Sequence, residues 1–314
     1  MIFSNLFLSG FLRFYAGKTF FAPTKTGRIF RRKSAFENLT LQAEKIIRKM
    51  RVMLAEKHLD ELRNFAEKLA DTAREIVAGY HAKFHTEIEI KNDGSPVTVA
   101  DKECERILRA MIHDAFPQHG IIGEEFGNEN TDAEFVWSLD PIDGTKSFVS
   151  RVSLYGILFG LLHEGKPLIG VIDQPITRER IIGDGRDTRY NGVPVRVSDT
   201  PSVDKALLLT TDFIDCETKH PNENWNALLH RARLFRTWGD CYGYMLVANG
   251  RADIMADPEL SPWDLYPLLP ILRGAGAEVT DWNGNDPLHA KSILAANPRL
   301  HAEALAILNT PRNP

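Results

Sequence analysis

The chain has 314 residues, 43% of them hydrophobic, enough for one large globular domain or two smaller ones with a proper core. Its formal charge of -4 hides an asymmetry, since residues 1 to 52 carry 11 Lys/Arg against 2 Glu, whereas the other 262 carry 27 basic against 40 acidic residues. An acidic body excludes a broad nucleic-acid surface as the main activity and suits a protein that gathers cations; three well-separated cysteines, Cys104, Cys216 and Cys241, exclude a disulfide framework or zinc knuckle and fit a reducing, cytoplasmic setting.

The first 52 residues read as a basic extension, disordered or from an upstream start, with Met53 as the natural start. Its apolar stretch, Met1 to Leu12, is too short to span a bilayer and has no basic residue before it, so neither a membrane helix nor a secretory signal is indicated. The cluster Arg28, Arg31, Arg32 and Lys33 leaves an organelle presequence or a nucleic-acid tail as alternatives.

From Lys57, apolar residues recur at helical spacing through Leu59, Leu62, Phe65, Ala66, Leu69, Ala73, Ile76, Val77 and Tyr80, predicting an amphipathic helix to about Phe84. The turn-rich link Asn92-Asp93-Gly94-Ser95-Pro96 leads to a second helix, capped near Asp101 and halted by Pro117. Short apolar strands follow at Ile121-Ile122, Phe135 to Leu139, Tyr155 to Leu162, Leu168 to Ile172 and Arg180 to Ile182. Tyr190-Asn191-Gly192 marks a hairpin turn with a returning strand at Val195 to Val197, and Arg178, Glu179 and Arg180 read as a solvated face. A boundary near Asp199 to Asp204 separates an α+β half, residues 53–200, from an α/β half, residues 201–314. The second half alternates strand (Ala206 to Thr210), helices (Asn222 to Leu234 and Tyr242 to Asn249), strand (Ala252 to Ala256), helix (Trp263 to Gly274), strands near Val279 and Ile293, and a closing helix from Leu300 to Leu308.

Four acidic motifs sit beside strands or at helix starts. They are Pro96-Val97-Thr98-Val99-Ala100-Asp101, Gly123-Glu124-Glu125, Asp140-Pro141-Ile142-Asp143-Gly144-Thr145 and Pro262-Trp263-Asp264. Taken singly, each fits a bland reading: Asp101 an N-cap, Glu125 a solvated face, Asp-Gly a turn, Asp264 a first-turn carboxylate favoured by the helix dipole. Hard oxygen ligands at the end of a strand also suit Mg2+.

Together and in this order, from about Leu59 to the C-terminus, the motifs resemble the inositol monophosphatase family of Mg2+-dependent phosphomonoesterases. The resemblance implies a layered αβαβα sandwich, a small phosphorylated alcohol as substrate, two to three Mg2+ per subunit, and a homodimer. It implies that Glu124, Asp140, Asp143, Asp264 and the carbonyl of Ile142 are metal ligands, Asp140 bridging two sites. Asp101 and Thr145, with Glu124, would be catalytic, helping to take a proton from a metal-activated water, and the N–H groups of Gly144 and Thr145 would receive the phosphate. Most ligands thus fall in the first half and Asp264 in the second. Lys91 and the link after it resemble a mobile loop over a third, weaker ion.

Substrate choice is sought away from the metals. The segments Trp238-Gly239-Asp240-Cys241-Tyr242, Ala256-Asp257-Pro258 and Leu161-Leu162-His163-Glu164-Gly165-Lys166-Pro167 look like the histidinol-phosphate phosphatase branch of the family. Asp240 and Asp257 would hold the ammonium and imidazole of histidinol, although Asp240 also fits a cap of the Tyr242 helix. The expected reaction is hydrolysis of L-histidinol phosphate in histidine biosynthesis. The rivals are inositol 1-phosphate or a broad set of phosphomonoesters and, in another class, a regulatory protein associated with RNA or transcription. Nothing suggests an adenine site. Pro267 stands where the family has a small residue, and Arg273-Gly274-Ala275-Gly276 replaces its Glu-Ala-Gly-Gly, which bears on helix geometry and subunit contact but on no metal ligand.

Overall fold

A computed structural model describes residues 56–83, 88–90, 96–219 and 224–311. The basic extension and the Lys91 link lie outside them. The chain divides into Met1–Asp60, of which 56–60 is described and helical, and Glu61–Pro314, which holds the fold.

Helix α1 (61–82) buries Leu62, Ala66, Leu69, Ala73 and Val77 of the expected stripe and Ala70 beside them, with Phe65, Ile76 and Tyr80 half-buried. After the β1 (Ile88–Ile90) and β2 (Pro96–Thr98) hairpin comes α2 (Val99–Ala115). It starts earlier than expected: Thr98 is the N-cap and Asp101 the third helical residue, closing a capping box with it.

One sheet of eight strands follows, ordered β10-β9-β8-β7-β6-β5-β3-β4. Its strands are β3 (Gly120–Gly123), β4 (Gly127–Glu129), β5 (Phe135–Asp143), β6 (Gly156–His163), β7 (Lys166–Gln174), β8 (Glu179–Gly183), β9 (Thr188–Tyr190) and β10 (Val193–Pro194), with the short α3 (Thr145–Val149) after β5. Only β3 and β5 pair in parallel. The returning strand is therefore Val193–Pro194 rather than Val195 to Val197; Val195 N bonds Thr188 O while Val197 N turns to Ala275 O, so no continuous ladder forms there.

The second sheet, ordered β12-β11-β13-β15-β14, comprises β11 (Leu207–Leu209), β12 (Leu234–Arg236), β13 (Ile254–Asp257), β14 (Glu278–Thr280) and β15 (Ile293–Ala296). Around it lie α4 (Phe213–Thr218), α5 (Trp225–Arg231), α6 (Asp240–Ala248), α7 (Pro262–Gly274) and α8 (Pro298–Leu308). The expected helix to Leu234 stops at Arg231, because Leu234–Arg236 pairs with β11 as an edge strand. Helix α4 was not foreseen.

The layers are α1 and α2, the first sheet, α6 and α7, the second sheet, and α5 with α8, an α+β sandwich of the expected type. A row of glycines sets how closely α7 lies on the first sheet. Gly160, Gly170 and Gly183 are register partners on β6, β7 and β8. A Cβ on Gly170 would lie 1.9 Å from Pro267 O, and one on Gly183 would lie 2.6 Å from Ile271 Cα. The helix continues through Pro267 and Pro270, both buried, and Gly185 N and Thr188 Oγ1 donate to Pro270 O (3.0 Å) and Ile271 O (2.7 Å) from the sheet side.

The solvated-face reading holds for Arg178 alone. Glu179 is buried and accepts from Thr177 Oγ1, Tyr190 OH, Tyr242 OH and Arg251, while Arg180 pairs with Asp173 and Asp71. The three cysteines are buried free thiols, and no described helix is long and apolar enough to cross a membrane.

Candidate active site

Strand β5 delivers the central carboxylates. In a regular strand, residues three apart point to opposite faces, yet Asp140 and Asp143 share one. The reason is a register shift: Asp140 pairs with Leu158 and Asp143 with Gly156, so three steps on β5 oppose two on β6. That bulge turns Asp143 back to the face carrying Ser138 and Asp140, where α7 begins. Asp264, in the first turn of α7, completes the group, and carboxylate oxygens of Asp140, Asp143 and Asp264 lie within 4.8 Å of one another.

Each acid is held by backbone donors. Asp140 Oδ1 accepts Ile142 N at 3.0 Å, Asp143 Oδ2 accepts Cys241 N at 2.5 Å, and Asp264 Oδ2 accepts Ser261 N at 2.9 Å in a capping box. Glu124 follows β3, its N–H bonded to Leu139 O at 3.2 Å, and its carboxyl reaches Asp140. Burial first, then Glu124, Asp143 and Asp264, push the Asp140 carboxyl well above the usual range. Asp143 is raised by burial and Asp264, and Asp264 goes up to about 7, chiefly through burial with Glu124 adding to it. Such mutual repulsion is what a hard divalent cation relieves, and an all-oxygen donor set of this density fits Mg2+.

Asp101 lies buried one helix turn into α2, with Oδ2 accepting from Thr98 N (2.8 Å) and Thr98 Oγ1 (2.6 Å). Burial pushes its carboxyl up to about 7 against those two hydrogen bonds, with Glu125 and Glu124 adding negative charge nearby. Gly144, at φ 91, turns the chain from β5 into α3, and Thr145 Oγ1 donates to Ile142 O at 3.0 Å. Helix α3 packs against β2, next to the start of α2 that carries Asp101.

The segments after β11 and at the start of α6 close the other side. A cleft of about 280 Å³ is lined by Glu124, Gly144, Thr145, Asp212, Asp215 and Asp240 among others. Asp240 opens α6 at φ 49, and a Cβ on Gly144 would lie 2.8 Å from its Oδ2. Its backbone N–H donates to Thr211 Oγ1, but its carboxylate accepts no hydrogen bond from the described residues. Burial, then Asp143 and Asp257, raise it well above the usual range, with Lys146 partly opposing.

Asp257 is different. It is 3% exposed and takes four hydrogen bonds, from Thr210 Oγ1 (3.0 Å), Thr211 N (2.7 Å), Thr211 Oγ1 (3.0 Å) and Tyr244 OH (2.7 Å). Its acceptor capacity is thus spent within the protein, and it reaches the cleft mainly through its charge. Sequence reasoning missed Asp212 and Asp215. Asp212 caps α4 through Ile214 N, and Asp215 pairs with Lys219 at 3.1 Å. Asp212 stands just past the expected strand Ala206 to Thr210, the kind of signal that singled out Asp140, while Asp215 lies in the first turn of α4.

A model of the inositol monophosphatase family matches residues 58–310. The chain is 35% identical over 268 residues to the chloroplastic bifunctional phosphatase IMPL2 of Arabidopsis thaliana, covering 81% of this chain and 77% of that one. It is 34% identical over 248 residues to a histidinol-phosphatase of Chlorobaculum parvum, covering 77% and 95%. Among solved structures, an inositol monophosphatase from Zymomonas mobilis superposes with a TM-score of 0.70 at 33% identity, covering 79% of this chain and 97% of that one. A match over most of the chain, on a fold whose strand ends and helix starts gather these carboxylates, makes the chain a member of the inositol monophosphatase family of metal-dependent phosphatases.

Proposed function

We propose that the chain hydrolyses L-histidinol phosphate to L-histidinol and phosphate. The observation that carries this reading is Asp240, a carboxylate facing the cleft beside Gly144 that accepts no hydrogen bond from the described residues, in a wall that also holds Asp212 and Asp215. A neutral polyol has no charge to offer such a wall. An alcohol bearing an ammonium and an imidazole does, and pairing with them would offset the burial and repulsion that raise Asp240. The relatives named histidinol-phosphatase support the same choice.

Glu124, Asp140, Asp143, Asp264 and the Ile142 carbonyl would hold Mg2+, which when bound supplies charge neutralisation at the phosphate and activates water. The chain's own groups do the rest. The Asp101 carboxyl, pushed up to about 7, is matched to hold a proton drawn from the attacking water near neutral pH, and the Thr145 hydroxyl, bonded to Ile142 O in this structure, would relay that proton. The N–H groups of Gly144 and Thr145 would orient the phosphate, and Asp240 the leaving alcohol, with Asp257 holding Thr211 and Tyr244 around it.

Inositol 1-phosphate or a broad range of phosphomonoesters is the second reading, favoured by the likeness to the Zymomonas mobilis structure. Phosphate release with Mg2+ from histidinol phosphate and inositol 1-phosphate, measured side by side, separates the two. A preference for histidinol phosphate of about a hundredfold or more in kcat/KM is expected from a buried charge pair. Equal turnover of both would sink the assignment.

A further inference from the structure

Glu105 lies one turn beyond Asp101 on the same face of α2 and is fully buried. A buried carboxylate demands donors, and the ones it has found are informative. Oε2 accepts Glu125 N at 2.8 Å; Oε1 accepts Phe126 N at 3.1 Å and Arg109 Nε at 2.8 Å. Arg109, a further turn along, donates to Gly127 O and lies 3.5 Å from Glu129. Helix α2 thus grips the whole turn between β3 and β4.

Glu124 sits inside that grip. Its own N–H is tied to Leu139 O, and the next N–H, that of Glu125, is tied to Glu105. Both peptide units flanking its Cα are therefore tied, which sets the direction in which its Cα–Cβ bond leaves the turn toward Asp140. Gly123 is required by the same packing, since a Cβ there would lie 2.2 Å from Glu105 Oε1 and 2.4 Å from Arg109 Nη2.

We propose that Glu105, braced by Arg109, is a positioning residue that aims Glu124 at the metal and so sets metal affinity without touching metal or substrate. The inference rests on Glu124 being a metal ligand. Groups that orient a ligand typically cost 10 to 100-fold in affinity when lost. Calorimetric titration of the whole chain with Mn2+ alone should show Glu105→Gln binding about 10-fold or more weakly than wild type. The Mg2+ needed for half-maximal phosphate release should rise in parallel, with kcat at saturating Mg2+ held within about threefold. Glu103→Gln, on the same helix but bonded to Tyr80, should bind Mn2+ as wild type does.

Wild-type Mn2+ affinity in Glu105→Gln, with Glu124→Gln weakened, would overturn the clamp while leaving the ligand reading intact. Wild-type affinity in Glu124→Gln would overturn the ligand reading and the clamp with it. Should Glu105→Gln not fold, Arg109→Lys keeps the charge but loses the guanidinium fork. It should weaken Mn2+ binding several-fold, and an unchanged affinity there would also overturn the proposal.

Discussion

Asp101 and Asp264 are held in the same way. Each is the third residue of its helix, and each closes a capping box by accepting the N–H of its N-cap residue, Thr98 in one case and Ser261 in the other. The cap reading and the site reading of these acids are therefore compatible, because one oxygen closes the cap and the other is left to project forward. Asp240 and Asp257 divide differently. Four donors hold Asp257 in place, whereas Asp240 keeps its acceptors for the cleft. Asn tolerates positive φ about as well as Asp, so Asp240→Asn removes charge without disturbing the backbone at φ 49. Turnover of histidinol phosphate should fall about a hundredfold in kcat/KM while a small neutral phosphoester is hydrolysed almost as before. Parallel kinetic losses on both substrates would make Asp240 structural.

At the scale of elements, two backbone irregularities build the centre. The bulge on β5 puts Asp140 and Asp143 on one face, and the glycine row on β6, β7 and β8 lets α7 settle close enough to bring Asp264 to them. Gly170→Ala should destabilise the protein by about 1 to 3 kcal/mol or more, because the added methyl meets the backbone of Pro267 rather than a movable side chain. Gly79→Ala is the contrasting case. Gly79 lies in α1 with nothing within 4 Å of a built Cβ, so the substitution should stabilise by about 0.5 to 1 kcal/mol. Denaturant melts of both variants check the pair, and a Gly170→Ala midpoint at or above that of wild type would show that α7 shifts freely.

Across the whole molecule, the acidic centre works against the stability of the metal-free fold. Burial and three neighbouring carboxylates raise Asp140 above its ordinary 3.8, so the folded chain holds that proton more tightly than the unfolded one. Stability from this group therefore falls as pH rises past 3.8, and is lowest once the carboxyl is ionised. With metal chelated near pH 8, Asp140→Asn should melt a few degrees (~2 to 4 °C) above wild type. Added Mg2+ should raise the wild-type melting temperature far more than the variant's, and activity of the variant should drop about a hundredfold or more. Scanning calorimetry with and without Mg2+ tests this; a metal-free variant less stable than wild type would mean that Asp140 is a net structural asset. The chain itself locates the strands by their apolar runs and the acids at their ends or beside helix starts, because burial and capping leave local patterns; that these acids form one metal centre was implied only by the order of the motifs and the family they resemble. Asp257 as a satisfied hub, Asp240 as a carboxylate with no donor among the described residues, the part of Asp212 and Asp215 in the cleft, and the hold of Glu105 on Glu125 and Phe126 were decided only by tertiary structure. Which donors reach a carboxylate depends on residues tens of positions away in sequence, and no local pattern records them.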